Sequence, residues 1–140
     1  MRALLWCNGQ QPSKTVVEDL LKGAICFGVD GGADRAAEAG FEVDQVLGDL
    51  DSVDSDKWRG RTYELADQSS SDLAKSLSLL IERGYNEIDV VGSDGGATSH
   101  FLGSWAALCE VPSGAAIRLH HDDSVTHRVH PQEGEREFAV

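Results

Sequence analysis

Positive charge is scarce in this sequence, which contains 4 Lys against 14 Asp and carries a net charge of −12. A general nucleic-acid-binding surface needs a cluster of Lys and Arg, so we expect no nucleic-acid partner. ATP is not excluded by this charge, because Mg²⁺ and backbone N–H groups can balance its phosphates.

Long apolar runs and paired cysteines are also missing. No window approaches ~18 consecutive apolar residues, so we expect no membrane span, and no basic-then-apolar leader precedes the first predicted strand. Cys7, Cys26 and Cys109 are odd in number, scattered, and set in apolar surroundings. This pattern favours reduced core thiols in a cytoplasmic protein over disulfides or a zinc site.

Short apolar runs alternate with amphipathic segments and glycine turns along most of the chain. We predict strands at 2–7, 24–29, 44–47, 87–91 and 115–120, with a short run at 61–65. Helices are predicted from residue 13 to 23, over 33–39, from 72 to about 84, and over 99–109. In the last of these helices, Phe101, Leu102, Trp105 and Leu108 are expected to pack inward.

This order of strands and helices is typical of βαβ units. It predicts an α/β fold with three layers, α/β/α, and a mostly parallel sheet over residues 1–121. Residues 122–140 are predicted to form a short C-terminal β appendage, in which 125–130 and 136–140 flank a hairpin turn.

Three loops that follow predicted parallel strands combine glycine with carboxylates. They are 30–32 (Asp-Gly-Gly), 48–51 (Gly-Asp-Leu-Asp) and 92–96 (Gly-Ser-Asp-Gly-Gly). Ligands of open α/β sheets bind outside the carboxyl ends of the strands, and glycine lets backbone amides approach phosphate oxygens. Asp49 and Asp51, two residues apart, can converge on one cation such as Mg²⁺.

Common nucleotide motifs are absent, which leaves other interpretations of this carboxylate pair open. Neither a Walker A motif nor G-x-G-x-x-G occurs, so ordinary P-loop and dinucleotide sites are not expected. Residues 49–53 match an Asp-x-Asp-x-Val motif of aspartate-nucleophile phosphohydrolases, with Asp122 and Asp123 as a distal metal pair. Gly48 interrupts the strand before Asp49, however, and the motif lies in mid-chain. A solvated acidic turn is the remaining alternative.

Four blocks of the sequence, in order, resemble the thiamine pyrophosphokinase (thiamine diphosphokinase) family. Residues 29–35 are similar to the family's Ala-Asp-Gly-Gly-Ala-Asn block, and 44–52 to its Pro-Asp-x-x-x-Gly-Asp-Phe-Asp-Ser block. Residues 67–75 resemble its Asp-Gln-x-x-Thr-Asp-Leu-x-Lys block, and 92–100 its Gly-x-x-Gly-Gly-Arg-x-Asp-His block. The resemblance covers roughly residues 1–119.

The resemblance implies transfer of pyrophosphate from ATP to the hydroxyl of thiamine or a related small alcohol, with release of AMP. It implies that Asp49, Asp51 and Asp72 are catalytic and hold Mg²⁺. The residues that it implies for nucleotide binding are Asn8, Gly9, Asp30, Gly31, Gly32, Gln68, Lys75, Gly95, Gly96 and His100.

Two departures from the family pattern define the alternatives. Ala97 and Ser99 stand where the family has Arg and Asp, so a non-catalytic nucleotide-binding relic of the family is the competing hypothesis. Family members also carry a C-terminal β-sandwich that completes the thiamine pocket across a dimer, and here the corresponding stretch is short. We expect this tail to pair with that of a second subunit in a homodimer. His127 and His130 are expected on the surface and not as ligands.

Overall fold

The computed structural model describes residues 1–48, 56–65 and 70–138. Asp49, Asp51 and Gln68, three of the predicted site residues, lie outside the described residues, as does the side chain of His100.

Strands and helices alternate in the described chain nearly as predicted. The strands are β1 (Arg2–Trp6), β2 (Ala24–Val29), β3 (Gln45–Gly48), β4 (Thr62–Glu64), β5 (Glu87–Val91), β6 (Ala116–His120) and β7 (Val125–Arg128). The helices are α1 (Lys14–Leu20), α2 (Gly32–Glu38), α3 (Asp72–Glu82) and α4 (Thr98–Glu110), followed by a 3₁₀ turn at Pro131–Glu133.

The strands form one seven-stranded sheet in the order β4-β3-β2-β1-β5-β6-β7. All neighbouring strands are parallel except β6 and β7. Side chains of α1 and α2 pack in one core cluster, and those of α3 and α4 pack in another. The predicted α/β fold with a mostly parallel sheet is therefore confirmed. The chain runs outward from β1 in both directions, which makes the junction of β1 and β5 the switch point of the sheet.

Helix α3 forms where the sequence predicts it, because its cap and its apolar stripe agree. The Ser71 hydroxyl accepts a hydrogen bond from the Ala74 N–H at 3.2 Å, which satisfies one free donor of the first turn. Asp72 in that turn suits the positive end of the helix. Leu77 and Leu80 are fully buried against the sheet. The start of α3 is thereby held at the carboxyl edge of the strands.

The inward packing predicted for α4 is wrong for three of its four residues. Phe101, Leu102 and Trp105 are 36%, 57% and 47% exposed, and only Leu108 is buried as predicted. The helix turns Leu108 and its neighbours Ser104 and Ala107 toward the sheet. Apolar residues occur on several sides of α4, so their spacing does not single out one buried face.

The C-terminal hairpin predicted around residues 131–135 is also wrong. Strand β7 pairs antiparallel with β6, with Val125 opposite His120, so the hairpin turn lies at residues 121–124. Within the described tail, residues 134–138 form no strand. The buried Arg128 guanidinium donates to the carbonyls of Val111 and Ala115 at 2.8 and 3.1 Å, which ties β7 to the connection between α4 and β6. The division of the chain at residue 121 stays a prediction.

The three cysteines are free and differ in exposure. Cys26 is buried and Cys7 is half-buried, whereas Cys109 is exposed. The prediction of a core thiol is therefore wrong for Cys109, which lies on the outer side of α4. Among the described residues, no helix combines the length and the apolar character that crossing a bilayer requires.

Candidate functional site

A cleft of about 500 Å³ lies at the carboxyl ends of β1, β2 and β5, beside the first turns of α3 and α4. This is the switch point of the sheet, where open α/β folds bind ligands. Its charged lining residues are Asp30 and Asp72. Its neutral polar lining residues are Cys7, Asn8, Ser71, Ser93, Ser99 and Ser104. The described lining contains no Lys or Arg.

Asp30, directly after β2, adopts a left-handed backbone conformation with φ of 46°. Such strain in a non-glycine residue is uncommon and is concentrated at functional sites. Its N–H donates to the Leu47 carbonyl at 2.8 Å, and its carboxyl group lies against Gly48. A Cβ at Gly48 would come within 2.7 Å of the Asp30 carboxyl carbon. Glycine before Asp49 is thus required for the Asp30 carboxylate to take this position.

Asp72 lies in the first turn of α3 and faces the same cleft. Burial raises the pKa of Asp72, but hydrogen bonds to Asp30 and Lys75 and the positive charge of Lys75 outweigh it and lower the pKa below its ordinary value. The Lys75 Nζ lies 3.2 Å from Asp72 Oδ1 and donates to the Leu65 carbonyl at 2.9 Å. Asp72 is therefore ionised at neutral pH, and the Lys75 ammonium is held beside it.

The carboxyl groups of Asp30 and Asp72 are within hydrogen-bonding reach of each other. A hydrogen bond between two carboxyl groups requires a proton on one of them, and a divalent cation bound between the two could take the place of that proton. Mg²⁺ is commonly held by one or two carboxylates together with phosphate oxygens. The pair therefore fits a Mg²⁺–phosphate complex. Within the described part of the chain, no cluster of three or more metal-ligating side chains occurs.

Close backbone approaches bring the three strand ends together. The Gly9 N–H donates to the Gly92 carbonyl at 2.7 Å, which joins the turns after β1 and β5. A Cβ at Gly32 would overlap the Trp6 carbonyl oxygen, so α2 can start this close to β1 only with glycine. Asn8 is oriented by Arg35, whose Nε donates to the Asn8 Oδ1 at 3.1 Å.

The structure unites some of the predicted site residues and separates others. Asn8, Asp30 and Asp72 line the cleft, and Gly9, Gly31 and Gly32 build the turns beside it. Lys75 is one turn further along α3, next to Asp72. Gly95 lines a different depression, together with Phe101 and Trp105 on another side of α4, and Gly96 is absent from the described lining of both.

Five polar residues of the described lining were not predicted as site residues: Cys7, Ser71, Ser93, Ser99 and Ser104. Cys7 and Ser93 follow β1 and β5 closely, so their position after a predicted parallel strand was an available signal. Ser104 lies in mid-helix, where no sequence pattern marks it. Burial, and next the negative charge of Asp30, raise the pKa of Cys7 to about 12. The Cys7 thiol is therefore neutral at physiological pH and is not a nucleophile.

Residues 17–119 match the sequence model of the family described as "Thiamin pyrophosphokinase, catalytic domain". The chain belongs to this family. The match spans most of the chain and includes all four blocks on which the predicted resemblance depends, so the resemblance is confirmed.

Solved structures support the same relationship. A probable thiamine pyrophosphokinase from Staphylococcus saprophyticus subsp. saprophyticus is 28% identical, with a TM-score of 0.69 over 87% of this chain and 66% of that one. Thiamine pyrophosphokinase from Bacillus subtilis shares the fold, with a TM-score of 0.70 and 24% identity over 86% of this chain and 60% of that one. This chain thus spans slightly less than two thirds of these proteins. No curated protein matches the sequence.

Proposed function

We propose that the protein transfers pyrophosphate from ATP to the hydroxyl of thiamine or a related small alcohol and releases AMP. The observation that carries this proposal is the Asp30–Asp72 carboxyl pair in a cleft at the switch point of the sheet. Phosphoryl-type transfer depends mainly on positioning and on charge stabilisation, so it requires no nucleophilic side chain. The neutral Cys7 thiol in the cleft is consistent with such a mechanism.

The proposed Mg²⁺ ligands are Asp49, Asp51 and Asp72. Asp30 lies next to Asp72 in the cleft. Bound Mg²⁺ would neutralise the negative charge that develops on the phosphate oxygens during transfer. Asp72 suits this role because its lowered pKa keeps it ionised. Lys75 fixes the Asp72 carboxylate in place through the 3.2 Å ion pair, and the capped first turn of α3 holds both residues at the cleft.

ATP binding in this cleft has to rely on neutral donors and on the cation, because the described lining carries negative and not positive charge. Hydroxyl and amide groups of the serines and of Asn8 are the donors available there. The glycine turns at 30–32 and 92–96 are proposed to bring backbone N–H groups to the phosphates. The predicted roles of Gln68, Gly95, Gly96 and His100 in nucleotide binding remain part of this proposal.

A nucleotide-binding protein without turnover is the second candidate, and Ser99 is the observation that favours it. Ser99 lines the cleft, and it is neutral where the family pattern has Asp. A missing carboxylate in the cleft would leave binding intact and reduce catalysis. Release of AMP separates this candidate from the first.

Calorimetric titration with Mg-ATP tests the role of the carboxyl pair. We expect Asp72→Asn to weaken Mg-ATP binding by at least about 10-fold, since a hydrogen-bonded charge contact would be lost. Asp56→Asn is the control, because Asp56 is exposed, pairs with Arg59 at 3.3 Å and is not among the described residues that line the cleft. Equal Mg-ATP affinity in wild type and Asp72→Asn would contradict the assignment.

The assembly and the compartment are also proposals. We infer a homodimer, because the exposed Phe101, Leu102 and Trp105 give α4 an apolar outer surface in a strongly acidic chain. Light scattering at micromolar concentration tests this, and a monomer would refute it. The cytoplasm is the proposed compartment, where the three free cysteines would stay reduced.

A further inference from the structure

Ser93 is a buried residue of the cleft whose hydroxyl is unused. Its side chain follows β5 by two residues, it is 3% exposed, and it lines the cleft. Its Oγ has no hydrogen-bond partner among the described residues. Buried hydroxyl groups nearly always have a partner, so an unpaired one in a cleft calls for a ligand atom.

The other serines that line the cleft do not combine burial with an unpaired hydroxyl, and Ser71 and Ser99 among them are exposed. The Ser71 hydroxyl accepts the Ala74 N–H and caps α3, and Ser104 has an interaction of its own. Ser93 therefore stands apart as a cleft hydroxyl with unused hydrogen-bonding capacity.

The surroundings of Ser93 indicate which chemical group it meets. Gly92 before it has φ of 74°, and Gly95 and Gly96 after it have φ of 85° and 78°. Of the residues in this turn, Ser93 alone belongs to the described lining of the cleft, so it is the residue of the turn that a ligand there would contact. The described lining of the cleft offers no Lys or Arg to hold phosphate. A phosphate group bound in this cleft would therefore need neutral hydrogen-bond donors.

We propose that the Ser93 hydroxyl donates a hydrogen bond to a phosphate oxygen of the bound nucleotide. This inference rests on the proposed function, since it assumes that the cleft takes a Mg²⁺–nucleotide. It assigns Ser93 as a phosphate-binding residue, in addition to the residues that the sequence pattern implies.

Ser76 provides a matched control within the same chain. It is 0% exposed and its Oγ also has no partner among the described residues, but it lies on α3 and is not among the residues of the cleft. Ser93→Ala and Ser76→Ala each remove one unpaired buried hydroxyl. Both variants should therefore unfold at the wild-type temperature or above it.

The test is calorimetric titration of wild type, Ser93→Ala and Ser76→Ala with Mg-ATP, Mg-pyrophosphate and adenosine. We expect Ser93→Ala to bind Mg-ATP and Mg-pyrophosphate about 10-fold more weakly, as for a lost hydrogen bond to a charged group. Adenosine binding should not change, and Ser76→Ala should bind all three probes as wild type does. Ser93→Cys, with a weak donor of similar size, should lose affinity in the same direction.

Three results would overturn the assignment: unchanged Mg-ATP affinity in Ser93→Ala while wild type binds, an equal loss in Ser76→Ala, or a loss confined to adenosine. A wild-type protein that binds neither Mg-ATP nor Mg-pyrophosphate would instead refute the proposed function and, with it, this inference. Failure of the inference alone is thus distinguishable from failure of the function.

Discussion

Replacing Asp89 by Asn would measure how strongly one buried charge cluster stabilises the sheet beside the cleft. Asp89 lies on β5, opposite Leu4 of β1 and Arg118 of β6, and it is 1% exposed. Arg118 donates to its two carboxylate oxygens at 2.7 and 3.1 Å, and the His120 Nε2 lies 2.7 Å from its Oδ1. The cluster links β5, one of the strands at whose ends the cleft lies, to β6.

The magnitude follows from the pKa of Asp89. Burial raises this pKa, but the hydrogen bonds and charges of His120 and Arg118 outweigh burial and lower it from 3.8 to about 2. A shift of this size corresponds to about 2.5 kcal/mol of stability, at about 1.4 kcal/mol per pKa unit. Because the folded-state pKa is the lower one, the contribution is present above pH ~4 and is lost as the pH falls toward ~2. About 1 kcal/mol of it is lost by pH 3.

Urea unfolding at pH 7 and pH 3 checks this reasoning. We expect Asp89→Asn to lower the free energy of unfolding at pH 7 by about 2–3 kcal/mol, because it removes the charge that pairs with the part-buried Arg118 guanidinium. The loss of stability from pH 7 to pH 3 should be about 1 kcal/mol smaller in this variant than in wild type. Glu87→Gln is the control, with an expected effect below about 1 kcal/mol, since the Glu87 side chain is 44% exposed and its ion-pair distances are 3.5 and 3.8 Å. An Asp89→Asn protein with the pH dependence of wild type would refute the argument.

Two further predictions concern side chains at the cleft and on α4. Cys109 should react with iodoacetamide at pH 8 far faster than Cys7, whose pKa of about 12 and burial keep it protonated; equal rates by mass spectrometry would contradict this. Gly32→Ala should lower the free energy of unfolding by about 1–3 kcal/mol or more, because the new Cβ would overlap the Trp6 carbonyl. Gly103→Ala, at a helix position with open space around it, should be neutral or stabilising by up to about 1 kcal/mol, and a larger loss there than at Gly32 would overturn the packing argument.

Much of the fold could be predicted because local signals and burial agree. Strands β2 and β5 begin and end at the predicted residues, since each is an apolar run bounded by turn residues. Helix α3 follows from its Ser71 cap and its leucine stripe. Helix α4 lacks such a contrast, because residues 98–109 contain no charged side chain that would mark a solvent face. The side that it buries is decided by packing on the sheet, which the sequence does not encode locally.

The site could be predicted only in part, for a topological reason. Parallel strands predict that Asp30 and the turn at 92–96 share one edge of the sheet. They do not predict that β1 and β5 are neighbours, and this order is what places Ser93 in the same cleft as Asp30. The contact of Asp30 with Asp72, far apart in sequence, likewise depends on where α3 docks. The sequence pattern predicted the tail hairpin turn at residues 131–135. The turn lies at 121–124 instead, because β7 pairs with the free edge of β6.

The most direct test of the account is to incubate the protein with Mg-ATP and thiamine and to separate the nucleotide and thiamine products. We predict AMP and thiamine diphosphate in equal amounts, dependent on Mg²⁺, in wild type and in Asp56→Asn but not in Asp72→Asn. Formation of ADP or free phosphate in place of AMP would contradict pyrophosphate transfer and would favour phosphohydrolase chemistry at Asp49. ATP that binds but yields no AMP with thiamine or any other small alcohol would contradict the proposed activity and favour the nucleotide-binding relic.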